Sequence, residues 1–332
     1  MVFDEYGGVD KLHIADLPMP KPGLGEVLVR VRAVALNGFG PMILQGTTNL
    51  KTQFPMIPCG DLAGDIAGIG EGVDASAWRP GMRVSVHPYA HRNGGMMGET
   101  LPGGAAEFIV APAASLLAMP DAVSYVDAAA LPVAYGTAYR MMKERGHIAK
   151  GEKVVILGAT GGVGTCCVQL AKAVGAEVIA CGRGDWKRAK LHEIGADVVI
   201  DTAKDEFMSA VHERYGKPRY LGGGGVDVVI NYIGGDTWVP SLKTLTKGGR
   251  LLTCGATAGY ATDNDVRYIW CFELDILGSN GWTLGDQAAL LAMVASREIK
   301  PVIHSVRPLA ELPHSMQELI DRNVFGKALL TL

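Results

Sequence analysis

Val154-Val155-Ile156-Leu157-Gly158-Ala159-Thr160-Gly161-Gly162-Val163-Gly164 runs from an apolar stretch, through a glycine-rich turn, into the start of a helical stretch. Residues of these types at this spacing suit the holding of a pyrophosphate. Small residues at Gly161 and Gly162 let the backbone approach phosphate oxygens closely. Gly164 lets the helix pack tightly on a sheet, and the helix N-terminus presents free N–H groups at the positive end of its dipole. The segment reads as a dinucleotide fingerprint, with Ala159, Thr160, Gly161, Gly162 and Val163 as the candidate cradle. The other readings are a tight turn without ligand and a methyltransferase or nucleoside-binding turn.

The next strand, Glu177–Ala180, runs into Cys181-Gly182-Arg183-Gly184. A site for NAD wants an acidic residue about 20 positions after the glycines, to hold the ribose 2′-hydroxyl. That position falls at about Gly182, which has no side chain. Arg183 follows and can pair with a 2′-phosphate, and Lys187 and Arg188 add positive charge one turn on. NADPH is therefore the expected cofactor. The alternatives are that Asp185 bends back to the ribose, and that Lys187 and Arg188 are a solvated helix face.

The surrounding pattern supplies the elements that would position these groups. Glu26–Leu36 alternates polar and apolar positions early, and Arg83–Val86 and Ala106–Val110 are further short strands. Pro22-Gly23, Pro80-Gly81 and Pro102-Gly103-Gly104 punctuate them, which suggests a compact β-rich domain. From Val126 the pattern changes. Val126–Lys143 reads as helix, and Lys153–Leu157 as a fully apolar strand. Strands Glu177–Ala180, Val198–Ile200, Val226–Asn231, Arg250–Cys254 and Asp275–Leu277 then alternate with helices such as Val163–Val174 and Lys187–Ile194. That alternation predicts an α/β fold with a doubly wound parallel sheet. Helices Asp286–Ser296 and Leu309–Asp321 and a last strand, Ala328–Leu332, form a tail too small for a third domain. It is expected to return to the first. Gly222–Gly225 reads as a flexible turn.

Length and composition agree. The 332 residues allow two domains. A net charge of −3 argues against a basic nucleic-acid-binding surface. No apolar run approaches the roughly 20 residues of a membrane span, and the acidic start does not resemble a signal peptide, so a cytoplasmic enzyme is expected. The six cysteines form no C-x-x-C pair and read as small buried hydrophobes in a reducing compartment.

Several motifs in order resemble the medium-chain dehydrogenase/reductase superfamily, and within it the zinc-independent quinone oxidoreductase and enoyl reductase-like branch. They are Phe3–Gly8, Gly25–Val29, Pro58–Gly64 with Gly68–Val73, the Ala159–Gly164 turn, and Phe325-Gly326-Lys327. The likeness spans nearly the whole chain. It implies a GroES-like catalytic domain over residues 1–125 and 281–332, a Rossmann dinucleotide-binding domain over 126–280, and a homodimer paired through edge strands near Asp275–Gly281. Zinc-dependent relatives place a cysteine where this chain has Asn37, a His-Glu pair at Gly60-Asp61, and a further ligand near Ala129. The stretch matching their structural zinc lobe, about residues 86–104, has no cysteine. Neutral Asn, Gly and Ala cannot build a tetrahedral zinc site, so no metal is expected.

The resemblance also implies site residues. Asn37 is expected beside the nicotinamide, its amide donating to a carbonyl; it also reads as a turn residue before Gly38. Thr137 matches a nicotinamide contact, or packs in a helix. Asn231 and Tyr232 end the fourth strand where relatives contact the cofactor, and Gly255-Ala256-Thr257 and Ser279-Asn280, at strand ends on the same edge, are expected to hold the nicotinamide carboxamide. Lys327 is expected to reach a phosphate. Enoyl reductases of the branch use a tyrosine where this chain has Thr47 and Thr48. Tyr89, with His87, His91 and Tyr135, could replace it as proton donor, or solvent could serve. Met96 and Met97 either line an apolar pocket or simply pack.

Without zinc, reduction of an isolated carbonyl loses its electrophile. Hydride delivery to a quinone, or to the activated C=C of an α,β-unsaturated carbonyl or enoyl thioester, needs only hydrogen-bond donors at the oxygen. An NADPH-dependent reductase of such small molecules is the leading expectation. A metal-free alcohol or aldehyde dehydrogenase, and a non-catalytic NADPH-binding protein or redox sensor, are the alternatives.

Overall fold

The computed structural model describes residues 1–89 and 94–332. In chain order the first elements are β1 (Glu26–Ala35), α1 (Gly40–Gln45), β2 (Asp61–Ile69), β3 (Arg83–Val86), β4 (Phe108–Pro112), β5 (Leu116–Ala118), α2 (Tyr125–Ala130) and α3 (Gly136–Tyr139). There follow β6 (Lys153–Ile156), α4 (Gly162–Val174), β7 (Glu177–Gly182), α5 (Asp185–Glu193), β8 (Val198–Asp201), α6 (Phe207–Tyr215), β9 (Val226–Ile230), α7 (Trp238–Thr244) and β10 (Leu245–Thr253). The chain continues through α8 (Val266–Cys271), β11 (Asp275–Gly278), α9 (Leu284–Ala295), β12 (Ile303–Pro308), α10 (Leu312–Ile320) and β13 (Lys327–Thr331). The chain divides into two units, Met1–Gly136 with Thr283–Leu332, and Thr137–Trp282.

The first unit is built on a seven-stranded sheet, ordered β12-β13-β1-β2-β3-β5, with β4 also paired to β1. In β1, Val27, Val29 and Val31 are buried while Arg30 is exposed, as period-2 side-chain direction requires. Those valines join Leu62, Ile66, Val84, Leu312 and Leu330 in one core. The C-terminal tail returns to this unit: β13 pairs antiparallel with β1, placing Leu329 opposite Ala35. Strand β2 is rich in Gly and Ala and carries little β propensity, so its sequence gave no strand signal. Its glycines answer to close packing. A Cβ on Gly64 would lie 2.1 Å from the Arg30 carbonyl oxygen of β1.

The second unit holds a six-stranded parallel sheet, ordered β11-β10-β9-β6-β7-β8. Chain reversal at β6 gives the doubly wound order, with β6 and β9 adjacent at the switch point. Val155, Ile179, Val229 and Leu251 fill its core. Gly222, Gly223, Gly224 and Gly225 all have φ between 72° and 101°, so the four-glycine run is a left-handed turn that L side chains would strain.

The stretch read as one helix, 126–143, is helical without interruption from Tyr125 to Arg145, but it is not uniform. After α2 the chain widens into a π-helical turn at Leu131–Tyr135, resumes as α3, and widens again at Arg140–Arg145. Pro132 has no N–H for the regular ladder, which is one cause of such a widening. The first boundary between units lies inside this segment, at Gly136/Thr137 rather than 125/126, because α2 packs on β1 and β2 with Ala128, Ala129 and Ala130 fully buried. Among the described residues, no helix is long and apolar enough to cross a membrane.

Candidate functional site

In the second unit, β6 ends at the glycine turn and α4 begins at Gly162. The turn is tied from three sides. Ala159 N–H donates to Cys181 O at 3.1 Å, Leu157 N–H to Ile230 O at 3.0 Å, and Tyr232 Oη–H to Gly158 O at 2.7 Å. Gly164 is closed by the turn itself, since a Cβ there would lie 2.4 Å from Gly158 O. Gly161 is different. It is exposed, and the nearest atom to a Cβ would be 3.7 Å away. As N-cap of α4 it has no side chain to satisfy the first-turn N–H groups, which stay available to an anion. A packed underside, an open upper face and free donors fit a dinucleotide pyrophosphate.

At the end of β7, a Cβ on Gly182 would meet Leu191 Cδ1 at 2.9 Å and Thr160 Cγ2 at 3.0 Å, so the position has no room for an acidic side chain. Arg183 beside it is exposed and makes no hydrogen bond or ion pair among the described residues. Arg188 is engaged, bonded to Asp185 and 3.4 Å from Asp201 Oδ2. That bond holds the Asp185 carboxyl below its usual range and ties it to its own helix. Lys187 lies 5.3 Å from the Trp186 ring centre, and partial burial lowers its pKa.

The carboxyl ends of β10 and β11 border a pocket of about 490 Å3 lined by Gly255, Ala256, Ser279 and Asn280, with Trp238 and Tyr260. Ser279 Oγ is buried there with no hydrogen-bond partner among the described residues. Thr257 is held by its backbone, donating to Tyr232 O at 3.2 Å. Thr137 is half-buried at the start of this unit.

Two expected contacts take other roles. Asn231 is fully buried, and its side chain is spent on the protein. Nδ2 donates to Thr237 Oγ1 at 3.0 Å and Ser241 Oγ at 2.9 Å, while Oδ1 accepts from the Ile233 and Gly234 N–H groups, each at 3.0 Å. It shapes the loop after β9. Tyr232 braces the glycine turn through Gly158.

In the first unit the sheet register assembles a second cluster. Asn37 follows β1, Asp61 opens β2 and Lys327 opens β13. Ala35 is paired with both Asp61 and Leu329, so the two charged residues flank Asn37 from neighbouring strands. Lys327 Nζ donates to Leu36 O at 2.8 Å, Asn37 Oδ1 at 2.5 Å and Asp61 Oδ2 at 3.1 Å. Asn37 Nδ2 donates to Asp61 Oδ2 at 3.1 Å, and the Val133 N–H to Asp61 Oδ1 at 3.0 Å. Asp61 and Lys327 are 0% and 2% exposed. Burial raises the Asp61 carboxyl above its ordinary value, and the Lys327, Val133 and Asn37 contacts offset that rise only in part. The expectation that Lys327 reaches a phosphate is thereby corrected: its three donors are used inside the sheet. The Asp61–Lys327 pair was not foreseen, although a charged residue opening an otherwise apolar strand is a usable signal.

Tyr89 is 41% exposed, and burial together with the Glu99 and Asp61 charges raises its pKa, so it keeps its proton at neutral pH. Its ring centre is 6.1 Å from that of His87, which is buried. His91 lies outside the described residues. Tyr135 is 0% exposed and its hydroxyl accepts from the Val302 N–H at 2.8 Å, so it serves the interior packing of this unit. Met96 and Met97 are 2% and 1% exposed and pack in the interior. Among the described residues, no three His, Cys, Asp or Glu side chains gather as a metal-binding group.

Comparisons with known proteins agree with this architecture. Residues 23–121 match the family described as alcohol dehydrogenase GroES-like domain, and residues 162–296 match zinc-binding dehydrogenase. The solved structure of AibC is similar with a TM-score of 0.89 and 31% identity, covering 99% of this chain and 94% of that one. The crotonyl-CoA reductase of Streptomyces avermitilis is 29% identical over 94% of this chain and 80% of its own length. The quinone oxidoreductase of Homo sapiens is 27% identical over 99% of this chain and 96% of its own. With both domains matched and a relative above 30% identity over nearly its full length, the chain belongs to the medium-chain dehydrogenase/reductase superfamily and is an oxidoreductase of the nicotinamide-dependent kind.

Proposed function

We propose that this oxidoreductase uses NADPH to reduce a quinone, or the activated C=C of an α,β-unsaturated carbonyl or enoyl thioester, without zinc. The observation that carries the reading is the state of Asp61. Its carboxylate, where zinc-dependent members of the superfamily have an acidic residue beside a ligand histidine, is already neutralised by the buried Lys327 ammonium. The adjoining Gly60 and Asn37 are not zinc ligands. The names of the crotonyl-CoA reductase and quinone oxidoreductase relatives support the substrate class.

Bound NADPH supplies the hydride. Ala159, Thr160, Gly161, Gly162 and Val163 cradle its pyrophosphate. Arg183 pairs with the 2′-phosphate, beside a Gly182 that excludes the acidic residue an NAD site wants. Gly255, Ala256, Ser279 and Asn280 receive the nicotinamide carboxamide, with Thr257 holding their loop through its backbone. Thr137 contacts the nicotinamide side of the cofactor. Asn37 donates to the carbonyl oxygen on which negative charge develops. Tyr89, protonated at neutral pH, is the proton donor, with solvent as the other source. The free edge of β11, where Asp275, Ile276 and Gly278 are exposed, supports a homodimer paired through that strand.

The test is NADPH oxidation by chelator-treated protein against quinones, enones, enoyl-CoA esters, and simple aldehydes and ketones. Turnover confined to the first three classes is expected. Turnover of simple carbonyls alone would overturn the reading.

A further inference from the structure

Asp61 and Lys327 form an ion pair with both side chains almost wholly out of water. Desolvating two charges is costly, and such a pair is held only where other hydrogen bonds complete it. Here the completing group is an amide. Asn37 offers its oxygen to the ammonium and one N–H to the carboxylate. The reverse orientation would set NH2 against NH3+ and the amide oxygen against a carboxylate. An asparagine amide, ambiguous in most surroundings, has one allowed orientation here. Its second Nδ2 hydrogen has no partner among the described residues, on a side chain only 9% exposed. A cation on the amide oxygen also draws electron density from nitrogen, which strengthens the remaining N–H as a donor.

We propose that Asp61 and Lys327 are positioning residues that lock and polarise the Asn37 amide, so that its remaining N–H is a preorganised donor to the substrate's developing oxyanion. The inference rests on the reading that Asn37 meets the substrate carbonyl. It adds that a charged pair, fixed by the register of three strands, sets the strength and direction of that donor.

The test uses the full chain with NADPH and an enone. Because Lys327→Met alone leaves Asp61 buried without its cation, the paired variant Asp61→Asn/Lys327→Met carries the experiment, with Lys327→Arg as the conservative rescue. The expected result for the paired variant is a cooperative melting transition, an NADPH Kd within about threefold of wild type, and a kcat lower by roughly tenfold or more. Loss of a whole oxyanion donor is worth about a hundredfold or more. KM should change less than kcat, and Lys327→Arg should recover part of the rate. A folded paired variant with wild-type kcat would overturn the proposal. A purely structural role would lower the melting temperature and leave kcat alone. Side-chain amide NMR of Asn37, identified by its loss in Asn37→Ala, gives a reading without turnover. One Nδ2 proton should be protected from exchange in wild type and lose protection in the paired variant; equal protection in both would also overturn the lock. If wild type turned over no enone or quinone, the substrate reading would fall while the amide signal still decided the lock.

Discussion

Gly161 and Gly164, three residues apart, serve different ends. A methyl at Gly164 collides with the turn's own backbone, whereas a methyl at Gly161 meets only Gly158 O, at an ordinary contact distance of 3.7 Å. Gly164→Ala should therefore destabilise the protein by about 2 kcal/mol or more. Gly161→Ala should lower stability by no more than about 1 kcal/mol, the scale of an N-cap change. If a pyrophosphate rests on Gly161, that variant should also weaken NADPH binding at least tenfold. Thermal melts and a calorimetric titration separate the two effects. Arg183 makes a second residue-scale claim. Because it bonds to nothing described, Arg183→Ala should leave the melting temperature unchanged. It should weaken NADPH about tenfold and leave NADH affinity as it was; equal loss for both cofactors would contradict a 2′-phosphate role. These residues were legible in the sequence because the fingerprint is local. Lys327 and Asn231 were not. Asn231 bonds nearby, to the loop and helix that follow β9, in a pattern its residue type does not state, and for Lys327 the separation is 290 residues to Asn37 and 266 to Asp61. A side chain's partners across a sheet are set by register, which no local pattern states.

At the scale of elements, the apolar runs of β6, β7 and β9 announced themselves. The Gly- and Ala-rich β2 did not, and it is β2 that brings Asp61 to Asn37. Helix α10 is fastened to β12 by Glu318. Burial would raise its carboxyl, but bonds from Arg307 at 2.7 and 3.0 Å, with His304 and His314 nearby, hold it below the usual glutamate range. A carboxyl lowered in the folded state contributes stability that is present above its unfolded value near 4.5 and is lost as pH falls through the folded one. Melting temperature should therefore drop in acid below that range. Glu318→Gln should melt lower at neutral pH and show a shallower acid decline. A parallel decline in both proteins would rule out this contribution. The widened helical run from α2 onward adds a related lesson. Its alanines read as helix and it is helical to Arg145, while the two widened turns and the unit boundary at Gly136/Thr137 are not written in that pattern.

For the whole molecule, composition and alternation of elements led to the doubly wound sheet and the β-rich partner unit, because both are written in long periodic runs. The proposed self-association surface is less directly encoded. If β11 pairs with its counterpart in a second copy, sedimentation should give a dimer, and Ile276→Lys, which adds charge to that edge, should shift it toward monomer. A dimer indifferent to Ile276→Lys would place the interface elsewhere. The central chemical claim, that a metal-free site sends hydride to the conjugated carbon rather than to the carbonyl, is tested most directly by following a label. Chelator-treated protein would be given NADPH deuterated at the transferred position and an α,β-unsaturated ketone, and the product examined by NMR. Deuterium at the β-carbon of a saturated ketone is the predicted result; deuterium at a carbinol carbon, or turnover only after zinc is restored, would contradict it.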